Sequence, residues 1–118
     1  MDERIINAIK EKHRLSEDDE IELIRSGDEK LIRDYMWGNC LSHKAQIVLL
    51  ETKNKKMISF FISQDPLCNV AEKMLVELNN PELLEIYVSR HGIGKAGKIA
   101  ILSSGNKALI RVYKKRRQ

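Results

Sequence analysis

The sequence predicts an all-α fold: an α-solenoid wound as a right-handed superhelix from about four and a half 26-residue helix-turn-helix repeats. Three observations carry this prediction. The chain repeats itself without a gap, each repeat holds a helix-capping residue at a fixed place, and the composition favours helices. Of the 118 residues, 42% are hydrophobic and only 5% aromatic, with two prolines and six glycines. That is a well-charged globular chain with few of the punctuating residues that a sandwich of short strands needs.

The units begin at Leu15, Leu41, Leu67 and Ile93, each 26 residues after the last. One column holds Leu23, Leu49, Leu75 and Ile101, and the next holds Ile24, Leu50, Val76 and Leu102. Later columns hold Leu31, Met57, Leu83 and Leu109, then Ile32, Ile58, Leu84 and Ile110. Four residues on, Tyr35, Phe61, Tyr87 and Tyr113 form an aromatic column. The chain is thus one domain: a half repeat at 2–14 and repeats at 15–40, 41–66, 67–92 and 93–118.

Taken in order, the half repeat supplies one helix, with Asp2 as its cap and Ile5, Ile6 and Ile9 in the apolar columns. Each full unit supplies two. Ser16 and Ser42 cap the first helix in their units, while Cys68 and Gly94 are weaker caps at the same position. In the first unit the run Glu17, Asp18, Asp19, Glu20 opens the helix, where negative charge meets the positive end of the dipole. Gly27, Lys53, Asn79 and Gly105 end the first helices, and three of these four tolerate the left-handed conformation that commonly closes a helix. Asp28, Asn54, Asn80 and Asn106 then cap the second helices, with Pro81 at a first helical position where its missing N–H costs nothing. The count is nine helices. Helices this short are marginal alone, so their stability must come from stacking on neighbours.

The pattern L-S-x-x-A-x-x-x-L-L-x-x-G-N-x-x-L-I-x-x-Y, over residues 2–118, resembles the short HEAT-like α-solenoids of bacterial proteins, including variant leucine-rich helical repeats. The units are shorter than standard HEAT repeats and lack their inner proline and arginine pattern. The resemblance implies a binding scaffold and carries over no catalytic residue. Some HEAT-like proteins are DNA glycosylases with a concave basic cleft, but this chain is shorter, and its acids and basic patch lie at opposite ends.

Charge is the most informative functional feature. All 17 acidic residues precede Gly92, with 13 Lys and Arg, leaving −4; residues 93–118 hold eight basic residues and no acid, giving +8. Lys95, Lys98, Lys107, Arg111, Lys114, Lys115, Arg116 and Arg117 form either a phosphate-contacting patch, a basic surface for an acidic protein, or a polar cap favoured by the helix dipole. The column Ala8, Asp34, Phe60, Ile86, Val112 is either packing between second helices or, around Phe60 and Ile86, an apolar strip for a partner helix or peptide. Trp37, whose column is otherwise Glu11, Ser63 and Ser89, is either an exposed interface anchor or a packed surface ring. The aromatic column reads as structural, with rings buried and tyrosine hydroxyls turned to water or a carbonyl.

Other chemistry finds less support. Gly92, Gly97 and Lys98 fit the spacing of a P-loop, but Ile99 stands where magnesium needs Ser or Thr, and LLEIYVSR before it has helical rather than strand periodicity. The glycines fall at a repeat junction, so the motif is rejected. Cys40 and His43 are two ligands where zinc needs four, and His13 and His91 read as solvated helix ends. The acidic run lacks the spacing and glycine of a calcium loop. Two unpatterned cysteines, no long apolar run and an amphipathic N-terminus point to a cytoplasmic protein without a membrane span.

The expectation is therefore a non-enzymatic scaffold without cofactor or metal. It binds a protein partner through Trp37, Phe60, Ile86 and the basic residues Lys107, Arg111, Lys114, Lys115, Arg116 and Arg117. The alternative is nucleic-acid binding through residues 95–117. The chain starts in mid-unit and stops directly after a second helix, consistent with a longer array or a natural short form. Uncapped ends would suggest self-association.

Overall fold

A computed structural model describes residues 2–117, without the side chains of Arg116 and Arg117. Among the described residues it is entirely helical, with the nine helices expected: α1 (Glu3–Lys10), α2 (Glu17–Ser26), α3 (Glu29–Met36), α4 (His43–Glu51), α5 (Lys55–Ile62), α6 (Asn69–Glu77), α7 (Pro81–His91), α8 (Lys95–Ser103) and α9 (Lys107–Arg117). No helix is long and apolar enough to cross a membrane among the described residues.

The boundaries follow from local chemistry. Asp28, Asn54, Asn80 and Asn106 each accept the backbone N–H three residues on, at 3.1–3.3 Å. Ser16 and Ser42 do the same at 3.3 Å, whereas Cys68 and Gly94 make no side-chain cap. All four residues that precede a second-helix cap are left-handed, including Lys53 at φ 57°. A lysine there carries backbone strain that Gly27 and Gly105 avoid. A clasp not anticipated from sequence tightens three of these turns. Ser26, Thr52 and Ser104 donate to the carbonyls of Leu23, Leu49 and Ile101, and accept the N–H of Asp28, Asn54 and Asn106.

Each helix packs mainly on the helix two places along. One row runs α1–α3–α5–α7–α9 and the other α2–α4–α6–α8, giving a body of 46 × 21 × 20 Å. A helix with neighbours on both flanks must be apolar on both, which is why Leu23–Ile24, Leu49–Leu50 and Leu75–Val76 are buried as adjacent pairs. The core has two parts. The larger runs from Ile5 to Tyr87; the smaller joins Val76, Leu84 and Val88 of α6 and α7 to Ile101, Leu109 and Tyr113 of α8 and α9.

The hydroxyls of Tyr35 and Tyr87 do not turn to water or to carbonyls. Tyr35 donates to the buried Glu20 carboxylate at 2.5 Å and accepts the N–H of Leu15. Tyr87 does the same with Glu72 at 2.7 Å and Leu67. The second oxygen of each carboxylate accepts a backbone N–H 22 residues on, from Ser42 and Gly94 respectively. Between them Gln46 replaces the glutamate and Phe61 the tyrosine. Its Nε2 donates to the Leu41 carbonyl and its Oε1 accepts the N–H of Cys68. Glutamate goes with tyrosine, and glutamine with phenylalanine, because a buried carboxylate needs a second donor that an amide does not. Glu20 is therefore a buried structural acceptor at 1% exposure, not merely part of an acidic first turn.

The segment GIGKAGK runs from the end of α7 into α8, helix to helix. Gly92 closes α7 at φ 75°, and Gly97 lies buried inside α8. The chain has no strand-loop-helix cradle there.

Candidate interaction surfaces

Trp37 follows directly on α3 and is 75% exposed. Its ring centroid lies 6.4 Å from that of Phe60 on α5, at an interplanar angle of 37°. Phe60 and Ile86 are half-buried against the core, as are Ala8 and Val112, while Asp34 is exposed. The column thus serves both packing and surface: inner edges seal the row of second helices and outer edges remain accessible. Beside Trp37, between α1 and α3, runs a groove of about 560 Å³ with an apolar floor of Ile6, Ile9 and Leu31. Lys10, Lys12, Lys30, Asp28 and Asp34 line its rim.

The basic residues form a second surface. Lys107, Arg111, Lys114 and Lys115 are exposed and line a shallow groove along α9 of about 490 Å³, with Ile110 among them. Ion pairs among the described residues all lie between residues 2 and 44, and none of them involves these four. Arg116 and Arg117 end α9, and their side chains lie outside the described residues. The structure does not bring the basic surface to Trp37, because α5 and α7 separate α3 from α9.

The groups with strongly displaced protonation are enclosed. Burial, then the hydrogen bonds from Tyr35 to Glu20 and from Tyr87 to Glu72, hold both phenols far above their ordinary range. Burial also raises the Cys40 thiol, which leaves it a poor nucleophile. Asp19 is held below the usual carboxylate range by a bidentate bond from Arg4, at 2.7 and 2.9 Å. Among the described residues no three His, Cys, Asp or Glu side chains converge as metal ligands. Cys40 and Cys68 are free thiols. His91 is not a solvated helix end: its ring nitrogen lies 2.6 Å from the Ile62 carbonyl, and its ring tilts against Tyr87. His13 is exposed, as expected, and pairs with Glu11.

The two ends of the body differ. At the α1–α2 end, Leu15 and Leu23 are buried, and Ile5 of α1 belongs to the same core cluster. At the α8–α9 end, Ile99 and Leu102 are 55% and 48% exposed. Apolar side chains are thus covered at the first end and partly bare at the second.

The buried column Glu20, Gln46, Glu72 was missed by sequence reasoning, although its covariation with the aromatic column is visible in the aligned repeats. Comparison with protein-family models, with curated proteins and with solved structures gives no match.

Proposed function

We propose that the chain is a short right-handed α-solenoid of the HEAT-like kind, built from four and a half 26-residue repeats, and that it serves as a non-enzymatic scaffold for a protein partner. The observation that carries this reading is Trp37: a tryptophan at 75% exposure, resting on Phe60 at the edge of an apolar groove. Leaving that much apolar area in water forgoes about 2 kcal/mol that burial would supply. Tryptophan also dominates the energetics of protein interfaces. A groove with an apolar floor and mixed-charge rim suits an amphipathic helix or a peptide.

The test places a photo-crosslinking amino acid at Lys30 on the groove rim, in cells, with adducts identified by mass spectrometry. A discrete protein adduct is expected, and it should vanish in Trp37→Ala/Phe60→Ala. Adduct formation unaffected by that double change would count against the surface.

A second reading has its own support in the exposed cations Lys107, Arg111, Lys114 and Lys115 along α9: nucleic-acid binding through these four together with Arg116 and Arg117. Phosphate binding would weaken steeply with salt. Anisotropy of labelled DNA and RNA at low and physiological salt separates the two. Salt-sensitive binding that is lost on changing residues 114–117 to Glu would put this reading first.

A further inference from the structure

At the α8–α9 end, Leu102, Ile110 and Lys114 occupy positions whose equivalents elsewhere in the chain are covered. Val76, Leu84 and Val88 point onward, packing on Ile101, Leu109 and Tyr113 of the last two helices. Residues 26 positions earlier, Leu50, Ile58 and Ile62, are likewise buried, as are Ile24, Ile32 and Met36 before them. Twenty-six positions later stand Leu102, Ile110 and Lys114. Leu102 is 48% exposed, Ile110 is half-exposed, and Ile99, one turn before Leu102, is 55% exposed.

Two substitutions in this face say what it is not made for. A further hairpin of the same kind would need an acceptor at the Glu20, Gln46, Glu72 position to take its first backbone N–H. Here that position is Lys98, exposed and unable to accept. It would also need an apolar side chain at the Met36, Ile62, Val88 position, where Lys114 stands. The apolar centre is kept, while one acceptor position and one apolar position have become lysine. A second copy of the chain fits no better. The opposite end is closed by α1, with Asp19 held by Arg4, and joining two α8–α9 ends would oppose two segments of eight basic residues each.

We infer that the α8–α9 end face docks an acidic amphipathic helix of a partner protein, its apolar stripe on Ile99, Leu102 and Ile110 and its carboxylates on Lys98, Arg111 and Lys114. Charge complementarity selects the acidic partner, because residues 93–118 contain no acid of their own. The surface extends the protein-scaffold reading to a second site and does not involve Trp37, so either can fail alone.

The test uses the full chain and three fluorescein-labelled synthetic peptides of equal length. One is a helix with a leucine stripe and glutamate on its other faces, one has lysine in place of each glutamate, and one has the same acidic charge without a stripe. The first should bind, and binding should weaken at least about tenfold both in Ile99→Ser/Leu102→Ser and in Lys98→Glu/Lys114→Glu. Trp37→Ala should bind as wild type. All substituted positions are exposed, and an unchanged melting midpoint would confirm that the variants fold. Failure of the striped acidic helix to bind, equal binding of the stripeless one, or indifference to the Ile99/Leu102 change would each overturn the proposal. So would a dimer, seen by sedimentation, that this change dissolves, because the occupant would then be a second copy. Duplex DNA that binds through the lysines and ignores Leu102 would assign the face to nucleic acid instead.

Discussion

The hydroxyl of Tyr87 is the most demanding place to test how the helices are tied together. Tyr87→Phe keeps the ring, which is 2% exposed, and removes one oxygen. That oxygen donates to Glu72 Oε2 at 2.7 Å and accepts the Leu67 N–H at 3.2 Å. Losing a hydrogen bond to a buried carboxylate costs about 1.5–3 kcal/mol, and orphaning a buried N–H about 1–3. With partial relaxation the variant should lose about 3 kcal/mol, equivalent to a fall of roughly 10 °C in melting midpoint for a domain of this size. Gln46 and Phe61 supply the internal control, since they already form the alternative pair. Adding Glu72→Gln should therefore restore about 1–2 kcal/mol, so that the double variant is more stable than Tyr87→Phe alone. Urea unfolding followed by circular dichroism and by an independent hydrodynamic probe measures both. A Tyr87→Phe cost below about 0.5 kcal/mol, the range of an ordinary surface change, or a double variant equal to the sum of its parts, would refute the reasoning.

Three further outcomes are expected. Lys53→Gly should stabilise the chain by about 0.5–1 kcal/mol in thermal melts, because glycine relieves a left-handed turn against a smaller gain in unfolded-state entropy. Gly97→Ala should destabilise by about 1–3 kcal/mol despite alanine's better helix propensity. The new Cβ would stand 2.5 Å from Glu72 Oε1 and 2.6 Å from Ile93 Cγ1, and a gain in melting midpoint would contradict that geometry. Stability should also fall at high pH: Tyr35 and Tyr87 keep their protons when folded, while an unfolded tyrosine loses its proton near about pH 10. Their contribution is complete below that pH and declines above it, so Tyr35→Phe/Tyr87→Phe should show a shallower alkaline decline than wild type.

What was legible in the sequence was whatever the aligned repeats show as a column of one chemistry. Asp28, Asn54, Asn80 and Asn106 act as caps in every unit because capping depends only on the turn that follows. The paired apolar columns gave the buried faces, and the isolated polarity of the Trp37 column gave its exposure. The Glu20–Tyr35 and Glu72–Tyr87 bonds were hidden because each spans 15 residues, and a glutamate within an acidic run looks like a solvated turn. The left-handed Lys53 was hidden too, since its neighbours impose a conformation that lysine itself disfavours. Closure at one end and not the other depends on α1 and on the Arg4–Asp19 pair, a contact outside the repeating pattern.

The division of the core into two clusters bears on how the body comes apart. The last two helices pack on the rest through a seam of their own: Val76, Leu84 and Val88 on one side, Ile101, Leu109 and Tyr113 on the other. Nearly all contacts lie between helices close in sequence, so opening this seam need not disturb the rest. Exchange of the α8 and α9 amide protons with solvent would report that opening separately from exchange in α4 to α6. A helix seated on the exposed face at Leu102 would become the missing far side of that sandwich. Its arrival would register as slowed exchange throughout the last two helices, a docking event read out far from the docked surface.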